Sequence, residues 1–451
     1  MRIYVARLFL ALVLSCVWFV VAIGVSQTDP EAGTDQPMPL LSKEVPVEWW
    51  FAFKFNADTF PRDTSDPPKC LFGGTPGGSQ QHYLSKIGQD FVYASSLHPQ
   101  LQKGSGYLGD SAADPVGATF DEVYNGNLHY VIWNDQFYND PALQCAHGAN
   151  QCGAKWAHSK GIVAWDDNGN GFVMQVTTPD WPGSGSSSHP RAEGNSLGCM
   201  LSDNDVQLSQ DFFSLKLTEA DVVKFLEALS TEGAVTDTAN PQIVNSGGPS
   251  EVVDAVSKLG KANSTATYSN QTLSSGVQLI AKAGGLSVPP WQLVSALLDR
   301  APLRVANFWE GTNLIYSTPG KSKPTCWDKT LGPPGAVQIV TTGTWNGKDI
   351  GLSGTAPKGS SLGTNHAKIG VSTAPGSTLT VFGDMNQVGI LNASSKTACA
   401  VAQNARGGLF FVLDNADLHD SVAALLTGKI APMTSSTANA HVRSTSPAPK
   451  Q

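Results

Sequence analysis

The chain has 451 residues, of which 41% are hydrophobic and only 15% charged, and its formal net charge is −8. That length and apolar content support one large core or two moderate ones. Abundant glycine and proline with few charges exclude a helical bundle and favour a β-rich or mixed α/β protein with many tight turns.

The first element is the leader. "MRIYVARLFLALVLSCVWFVVAIGVS" places Arg2 and Arg7 ahead of an apolar run from Leu8 to Val25, the layout of a secretory signal over residues 1–26. The alternative is a retained membrane anchor, because the run is long enough to span with tilt. A polar linker over 27–42 follows. The first half of the folded chain is then expected over residues 43–235. It opens with a buried strand, "VPVEWWFAFKF" (45–55), and continues with "LHYVIWNDQ" (128–136). "KGIVAW" (160–165) and "GFVMQVTT" (171–178) flank "DDNGNG", which predicts a hairpin; that turn lacks the terminal Glu and flanking helices of a calcium loop. "DWPGSGSSSHPRAEG" (180–194) is a loop, and "TEADVVKFLEALS" (218–230) is a helix capped by Thr218. Residues 236–286 are poor in charge and predict a connecting segment with one short helix near Glu251–Leu259. A second half over 287–430 has a helix at 290–300, strands at 304–309, 365–373 and 377–386, and a helix near Leu418–Leu426 ending before Gly428. The tail, 431–451, has the composition of a disordered segment.

Export makes the cysteines readable. Cys16 leaves with the signal, and Cys70, Cys145, Cys152, Cys199, Cys326 and Cys399 remain, enough for three disulfides in an oxidising compartment. Proximity pairs Cys145 with Cys152. Keeping each bridge within one half pairs Cys70 with Cys199 and Cys326 with Cys399. No C-x-x-C is present, so no cysteine zinc site is expected, and neither a metal nor any other cofactor is called for. Asn263, Asn270 and Asn392 head glycosylation sequons that have meaning only in a eukaryotic host.

Two short words carry the chemistry. His158-Ser159-Lys160 is a His-x-Lys triplet, and one such triplet is within what chance supplies. His366-Ala367-Lys368 repeats it in the other half, and each triplet leads into a short β-prone run, a glycine-containing turn and a second apolar strand. On extended chain, positions i and i+2 share a face, so His and Lys can act on one ligand while the small middle residue turns away. A neutral imidazole can attack phosphorus, and an ammonium can hold the non-bridging oxygens. With one pair from each half in a single cleft, one histidine serves as nucleophile and the other as proton donor; symmetry leaves open which. The bland alternative is two surface strands whose histidines merely form hydrogen bonds.

Paired triplets of this kind resemble the phospholipase D superfamily, and the surrounding words resemble the deoxyribonuclease II family. The matching stretches are "PVEWWFAFK", "WNDQ", "HSKG" followed by "GF", "GNSLGC", "NFW", "HAK" and "GDMN", in that order across roughly residues 45–410. The resemblance implies a mixed α/β, pseudo-symmetric, two-lobed phospholipase D-like fold, with β-sheets flanked by helices and one site between the lobes. It implies metal-independent cleavage of DNA in acid, leaving 3′-phosphate and 5′-hydroxyl ends. His158, Lys160, His366 and Lys368 correspond to the catalytic residues, and Asn386 to the amide that holds a phosphate oxygen. A further histidine of the animal enzymes falls near residue 176, where this chain has "QVTT", so Gln175 or Thr177 takes its place or the contact is absent. Cys199 and Cys399 match family cysteines, but a partner expected near Val381 is missing, and the family's disulfide map does not transfer. Thr177, His189 and Arg191 are the candidate substrate-binding residues. Asp135 and Asp384 suit structural and turn roles, with Asp384 also a candidate partner behind the site.

Net charge fits that reading in acid. Losing Arg2 and Arg7 takes the chain to about −10, and protonating nine histidines returns it to roughly −1, which removes much of the repulsion from DNA. The expected protein is a secreted acid endonuclease, lysosomal or periplasmic in some hosts, with DNA as its partner and no stable membrane association once the signal is cut. A phosphodiesterase acting on phospholipid or RNA, or a non-catalytic nucleic-acid-binding protein, are the other readings.

Overall fold

β-branched and aromatic runs become strands, and they divide between two large sheets. The computed structural model describes residues 36–57, 59–60, 90–109, 111–135, 152–178, 208–241, 243–309, 313–352 and 365–434. The leader, the loop 180–194 and Cys70, Cys145 and Cys199 lie outside the described residues. From Pro37 onward the chain is one compact unit.

The first sheet contains β1 (Trp49–Lys54), β2 (Phe91–Ser95), β3 (Gln102–Lys103), β4 (His129–Asn134), β5 (Lys160–Trp165), β6 (Gly171–Val176), β7 (Gln210–Leu217) and β8 (Val244–Asn245). Its order is β3-β2-β1-β7-β6-β5-β4-β8, antiparallel throughout. The second contains β9 (Tyr268–Thr272), β10 (Gln278–Lys282), β11 (Leu303–Ala306), β12 (Val337–Ile339), β15 (Ile369–Ser372), β16 (Leu379–Gly383) and β17 (Gly408–Asp414), in the order β12-β11-β15-β16-β17-β10-β9. Only β11 and β12 run parallel in it. A small hairpin, β13 (Thr344–Trp345) and β14 (Lys348–Asp349), stands apart.

The two sheets repeat one plan. In each, a triplet leads a hairpin (β5–β6 or β15–β16), the hairpin pairs with a long apolar strand (β7 or β17), and that strand pairs with an earlier one (β1 or β10). Registers agree as well: the strand-ending Lys54 faces Gln210, the first residue of β7, and Lys282 faces Gly408, the first of β17. Each long strand feeds a helix, α2 (Glu219–Glu232) or α5 (Ala416–Leu425). The other α-helices among the described residues are α1 (Pro115–Asn125), α3 (Ser250–Val256) and α4 (Pro290–Leu297). This is the mixed α/β, pseudo-symmetric arrangement expected from the sequence.

Aromatic rings join the sheets. Phe213 of β7 stacks on Phe382 of β16 with centroids 4.3 Å apart, and Phe51 of β1 lies 4.8 Å from the same ring. Phe225 on α2 sits between Trp133 of β4 and Phe411 of β17. One buried apolar cluster therefore includes residues of both sheets, and a second, around Trp291, Val305 and Phe410, fills the far side of the second sheet.

Local chemistry explains the elements that matter most to the site. α2 begins with a capping box: the Asp221 amide donates to the Thr218 hydroxyl, while the Asp221 carboxylate accepts from the Thr218 amide. It ends at Gly233, whose φ of 77° is the left-handed conformation glycine adopts without strain. In the β5–β6 turn, the Asp166 carboxylate accepts from the amides of Asn168 and Asn170, which fixes the expected hairpin.

Several expectations need correction. Residues 236–286 are more than a connection: they supply β8 to the first sheet and the β9–β10 hairpin to the second. β9, "YSNQT", was hard to recognise because an edge strand needs no apolar face. The tail is ordered beyond 431, since the Ala431 amide donates to Ile339 O and Met433 bridges to Ser317; residues after 434 lie outside the described set. Cys326 and Cys399 are joined by a disulfide, as expected, and Cys152 is also disulfide-bonded. Among the described residues no helix is long and apolar enough to cross a membrane.

Phe382 touches two rings of the opposite sheet, so Phe382→Ala should lower stability by about 3–5 kcal/mol, measured by urea unfolding. A loss below about 1 kcal/mol would show that the rings do not hold the sheets together.

Candidate active site

Both triplets enter their sheets in the same unusual way. Each is extended and leads into its strand: Lys160 opens β5, and Lys368 stands just before β15. Each histidine lies in the lead-in, outside the strand; for the second triplet this corrects the strand expected over 365–373, which begins only at Ile369. The lead-ins are held by the opposite sheet. Ala157 forms a parallel bridge with Gly407, and the His158 amide donates to Gly407 O at 2.9 Å. Reciprocally, Asn365 bridges Ser209, and the His366 amide donates to Ser209 O at 2.8 Å. Gly407 immediately precedes β17 and Ser209 immediately precedes β7, so each triplet is anchored where the other sheet's long strand begins. Only glycine fits at 407, because a Cβ there would lie 1.8 Å from Glu232 O.

The imidazoles are set differently. Nδ1 of His158 lies 2.7 Å from the Asp384 carbonyl oxygen. A carbonyl only accepts, so Nδ1 carries the proton and Nε2 of the neutral ring keeps its lone pair. Nδ1 of His366 instead faces the Gln210 amide nitrogen at a long 3.5 Å. That amide is oriented by the Thr177 hydroxyl, which donates to Gln210 Oε1 at 2.7 Å. An N–H facing Nδ1 makes it the acceptor, and the proton of the neutral His366 ring then belongs on Nε2. Phe308 meets the His366 ring edge-to-face at 4.7 Å.

The ammonium groups are buried. Lys160 and Lys368 are each 2% exposed. Lys160 Nζ donates to Asp135 Oδ1 at 2.5 Å, and Asp135 Oδ2 accepts from Arg406 Nη2 at 2.8 Å. Lys368 Nζ donates to the carbonyl of His366, while its backbone amide donates to Asp211 Oδ1 at 2.7 Å. Burial followed by the Lys160 charge pushes Lys368 down to about 7. Burial also raises Asp211 to about 7. Burial would raise Asp135 too, but Lys160, His158 and Arg406 overcome it and hold the group ionised.

Both histidines fall well below the ordinary imidazole value. Burial is the first cause for each, reinforced by the nearer lysine: Lys160 for His158 and Lys368 for His366. Each histidine also feels both lysines, and His366 feels His158. The two triplets, 208 residues apart in sequence, therefore share one electrostatic site. Two like charges and two bases that resist protonation suit a ligand bearing negative charge.

The other candidate residues are placed unevenly. Asn386 follows Met385, whose carbonyl accepts from Trp291, and precedes Gln387, whose amide donates to Asn307. Its Oδ1 is buried without a hydrogen-bond partner. Thr177 is buried, and its hydroxyl is engaged by Gln210 and Asp211, so it orients the neighbour of His366 and offers no free group to a substrate. Gln175 reaches the site's underside, donating to Asp384 Oδ2 at 3.3 Å. His189 and Arg191 lie outside the described residues.

Asp384 is more than a turn residue: its carboxylate accepts from the Leu409 amide while its carbonyl holds His158. Sequence reasoning missed Asp211, Glu232 and Arg406. Glu232 is fully buried and accepts from the Ser159 hydroxyl at 2.7 Å, turning the middle residue of the first triplet away from the site. Each of the three is a charge beside an apolar run, a signal that was present but unspecific. Among the described residues no group of three or more His, Cys, Asp or Glu side chains could hold a metal ion.

With the geometry established, comparison adds a family. The model of the family described as Deoxyribonuclease II matches residues 40–288, over half of the chain and including the first triplet. The second triplet lies beyond the matched span. No curated protein matches the chain.

The buried Lys368 charge carries a stability cost. Its folded value near 7 lies below the ordinary lysine value of 10.5, so the folded state binds this proton less tightly than the unfolded chain. The cost is absent well above 10.5 and fully present below about 7. At about pH 5, Lys368→Met should therefore match or exceed the parent's melting temperature while losing cleavage. A fall of several degrees would show that the ammonium supports the fold.

Proposed function

Since this chain belongs to the deoxyribonuclease II family and is a DNA-hydrolysing nuclease, we propose that it cuts DNA in acid, without metal, through a covalent phosphohistidine. The observation that carries the reading is the opposed pair of imidazoles: His158 with Nε2 bare, His366 with its proton on Nε2.

The cycle starts in acid with His158 neutral and His366 protonated on both ring nitrogens, so that giving up the Nε2 proton leaves a neutral ring. Nε2 of His158 attacks the phosphorus, the bond from phosphorus to the 5′-oxygen breaks, and His366 Nε2 gives its proton to that oxygen. The product is a 5′-hydroxyl strand and a 3′-phosphoryl group bonded to His158. The imidazolium so formed keeps its Nδ1 proton on the Asp384 carbonyl. Lys160 and Lys368 hold the non-bridging oxygens as charge shifts onto them, with Asn386 as a further donor. His366, now neutral with Nε2 bare, takes a proton from water as that water attacks phosphorus. The phosphorus–nitrogen bond breaks, which frees the 3′-phosphate end and restores both histidines. The two ammonium groups supply the charge that a metal ion supplies in other nucleases.

Acid dependence has two sources. The depressed histidines reach a mixed protonation state only below neutrality, and Lys368 loses its charge as pH rises through about 7. Activity should therefore peak in acid and fall on both sides. We also propose a secreted protein, lysosomal or periplasmic according to host; the Cys326–Cys399 disulfide suits an oxidising compartment.

His158→Ala and His366→Ala should each cut plasmid nicking by about 10³-fold or more with unchanged circular dichroism, because neither ring can do the other's task. Near-parental activity in either variant would dissolve the two-histidine site. Nicking by the mature protein should also persist in EDTA. Loss in chelator with recovery in magnesium would replace this mechanism with a metal-assisted one.

A further inference from the structure

Behind Lys160 lies a charged clamp that crosses from one half of the chain to the other. Asp135, from the end of β4, holds Lys160 through Oδ1 and Arg406 through Oδ2. Arg406 belongs to the second half, just ahead of β17. The same Nη2 also donates to Ala157 O at 2.6 Å, and Nε donates to Trp156 O at 3.3 Å. Arg406 is thus fastened to the backbone that presents His158 and to the carboxylate that presents Lys160. Its own backbone is fixed from behind: fully buried Lys282, at the end of β10, donates to Arg406 O at 2.6 Å and Asn404 O at 2.9 Å. Lys155 N donates to Ala405 O and Gly407 N to Trp156 O, which zip segment 155–158 along segment 405–407.

We infer that Arg406 is a positioning residue for the reaction: through Asp135 it aims Lys160, and through Trp156 and Ala157 it aims His158. This rests on the active-site reading above. A planar guanidinium suits the role because its fixed fork spans a carboxylate and a carbonyl at once, whereas a lysine would meet them as a point charge. The arrangement also fixes signs. The charged or titratable groups around His158 are Lys160, Asp135, Arg406, Lys368, His366 and, beneath it, Asp384 and Glu232. Arg406 opposes protonation of His158, and Asp135 favours it.

The test compares Arg406→Gln, Arg406→Lys and Asp135→Asn with His158→Ala, all in the full mature chain. The readouts are kcat and KM for DNA cleavage across about pH 4 to 8, with melting temperature alongside. Arg406→Gln should lower kcat about 10²-fold, as displacement of a catalytic group does, with a much smaller change in KM. The limb of its pH profile set by His158 should move to higher pH, because a neighbouring positive charge has gone. Asp135→Asn should move that limb to lower pH. Arg406→Lys keeps the charge but not the fork, so kcat should fall at least about tenfold with the limb in place. A residue that merely stabilised the fold would lower melting temperature without opposite displacements. Inactive His158→Ala beside an Arg406→Gln of parental kcat and profile overturns the clamp and leaves the site standing. Limbs that move the same way in Arg406→Gln and Asp135→Asn also overturn it. An active His158→Ala overturns both.

Discussion

The structure depends on a reciprocal exchange of backbone hydrogen bonds. Each sheet lends the segment before its long strand to hold the triplet of the other: Gly407 holds His158, and Ser209 holds His366. A peptide hydrogen bond is short and directional, so this exchange sets the histidines' separation more tightly than packing of large side chains would. It also accounts for the glycine at 407, for the carboxyl of Glu232 behind Ser159, and for the convergence of residues from distant parts of the sequence.

Charge burial follows from that constraint. Drawing the lead-ins together brings Lys160 and Lys368 into a nearly dry interior, where like charges repel strongly. Asp135 answers Lys160, but burial raises Asp211 to about 7 and lifts Asp384 well above the usual carboxyl range, so in acid neither supplies a full negative charge to Lys368. A site with surplus positive charge and two reluctant bases is costly when empty, and on the proposed reading a phosphodiester relieves that cost. The cost is borne by the aromatic layer joining the sheets, where Phe213, Phe382 and Phe411 pack without any polar group to satisfy.

Much of this was legible in the residues, and the losses have physical causes. α2 could be read because Thr218, Asp221 and the spacing of Val222, Phe225, Leu226 and Leu229 all point to one helix. The β5–β6 hairpin was equally plain from "DDNGNG". The long strands β7, "QDFFSLKL", and β17, "GLFFVLD", were overlooked although they lie at the centre. Each is buried on both faces, and a strand without a wet face loses the alternation that identifies it. The pairing of the triplets was legible, because two residue types at one spacing recurred in matching settings. Arg406 and Asp211 gave no such notice: their roles come from partners 271 and 157 residues away, and no local pattern encodes those distances.

The crossing at Gly407 has a consequence for the order in which the protein comes into being. Synthesis proceeds from the N-terminus, and β7 can pair with β1 while the second sheet is still unmade. At that stage the first triplet exists, but its histidine lacks Asp384 and Gly407, and its lysine lacks the arginine behind Asp135. Such long-range pairings close last, since the entropy of the intervening loop must be overcome first. A nascent or truncated chain therefore carries half of the reactive groups in an unaligned state. On the proposed mechanism the capacity to cut arrives only once the segment from Asp384 to Gly407 has been made, a topological delay on a hazardous activity.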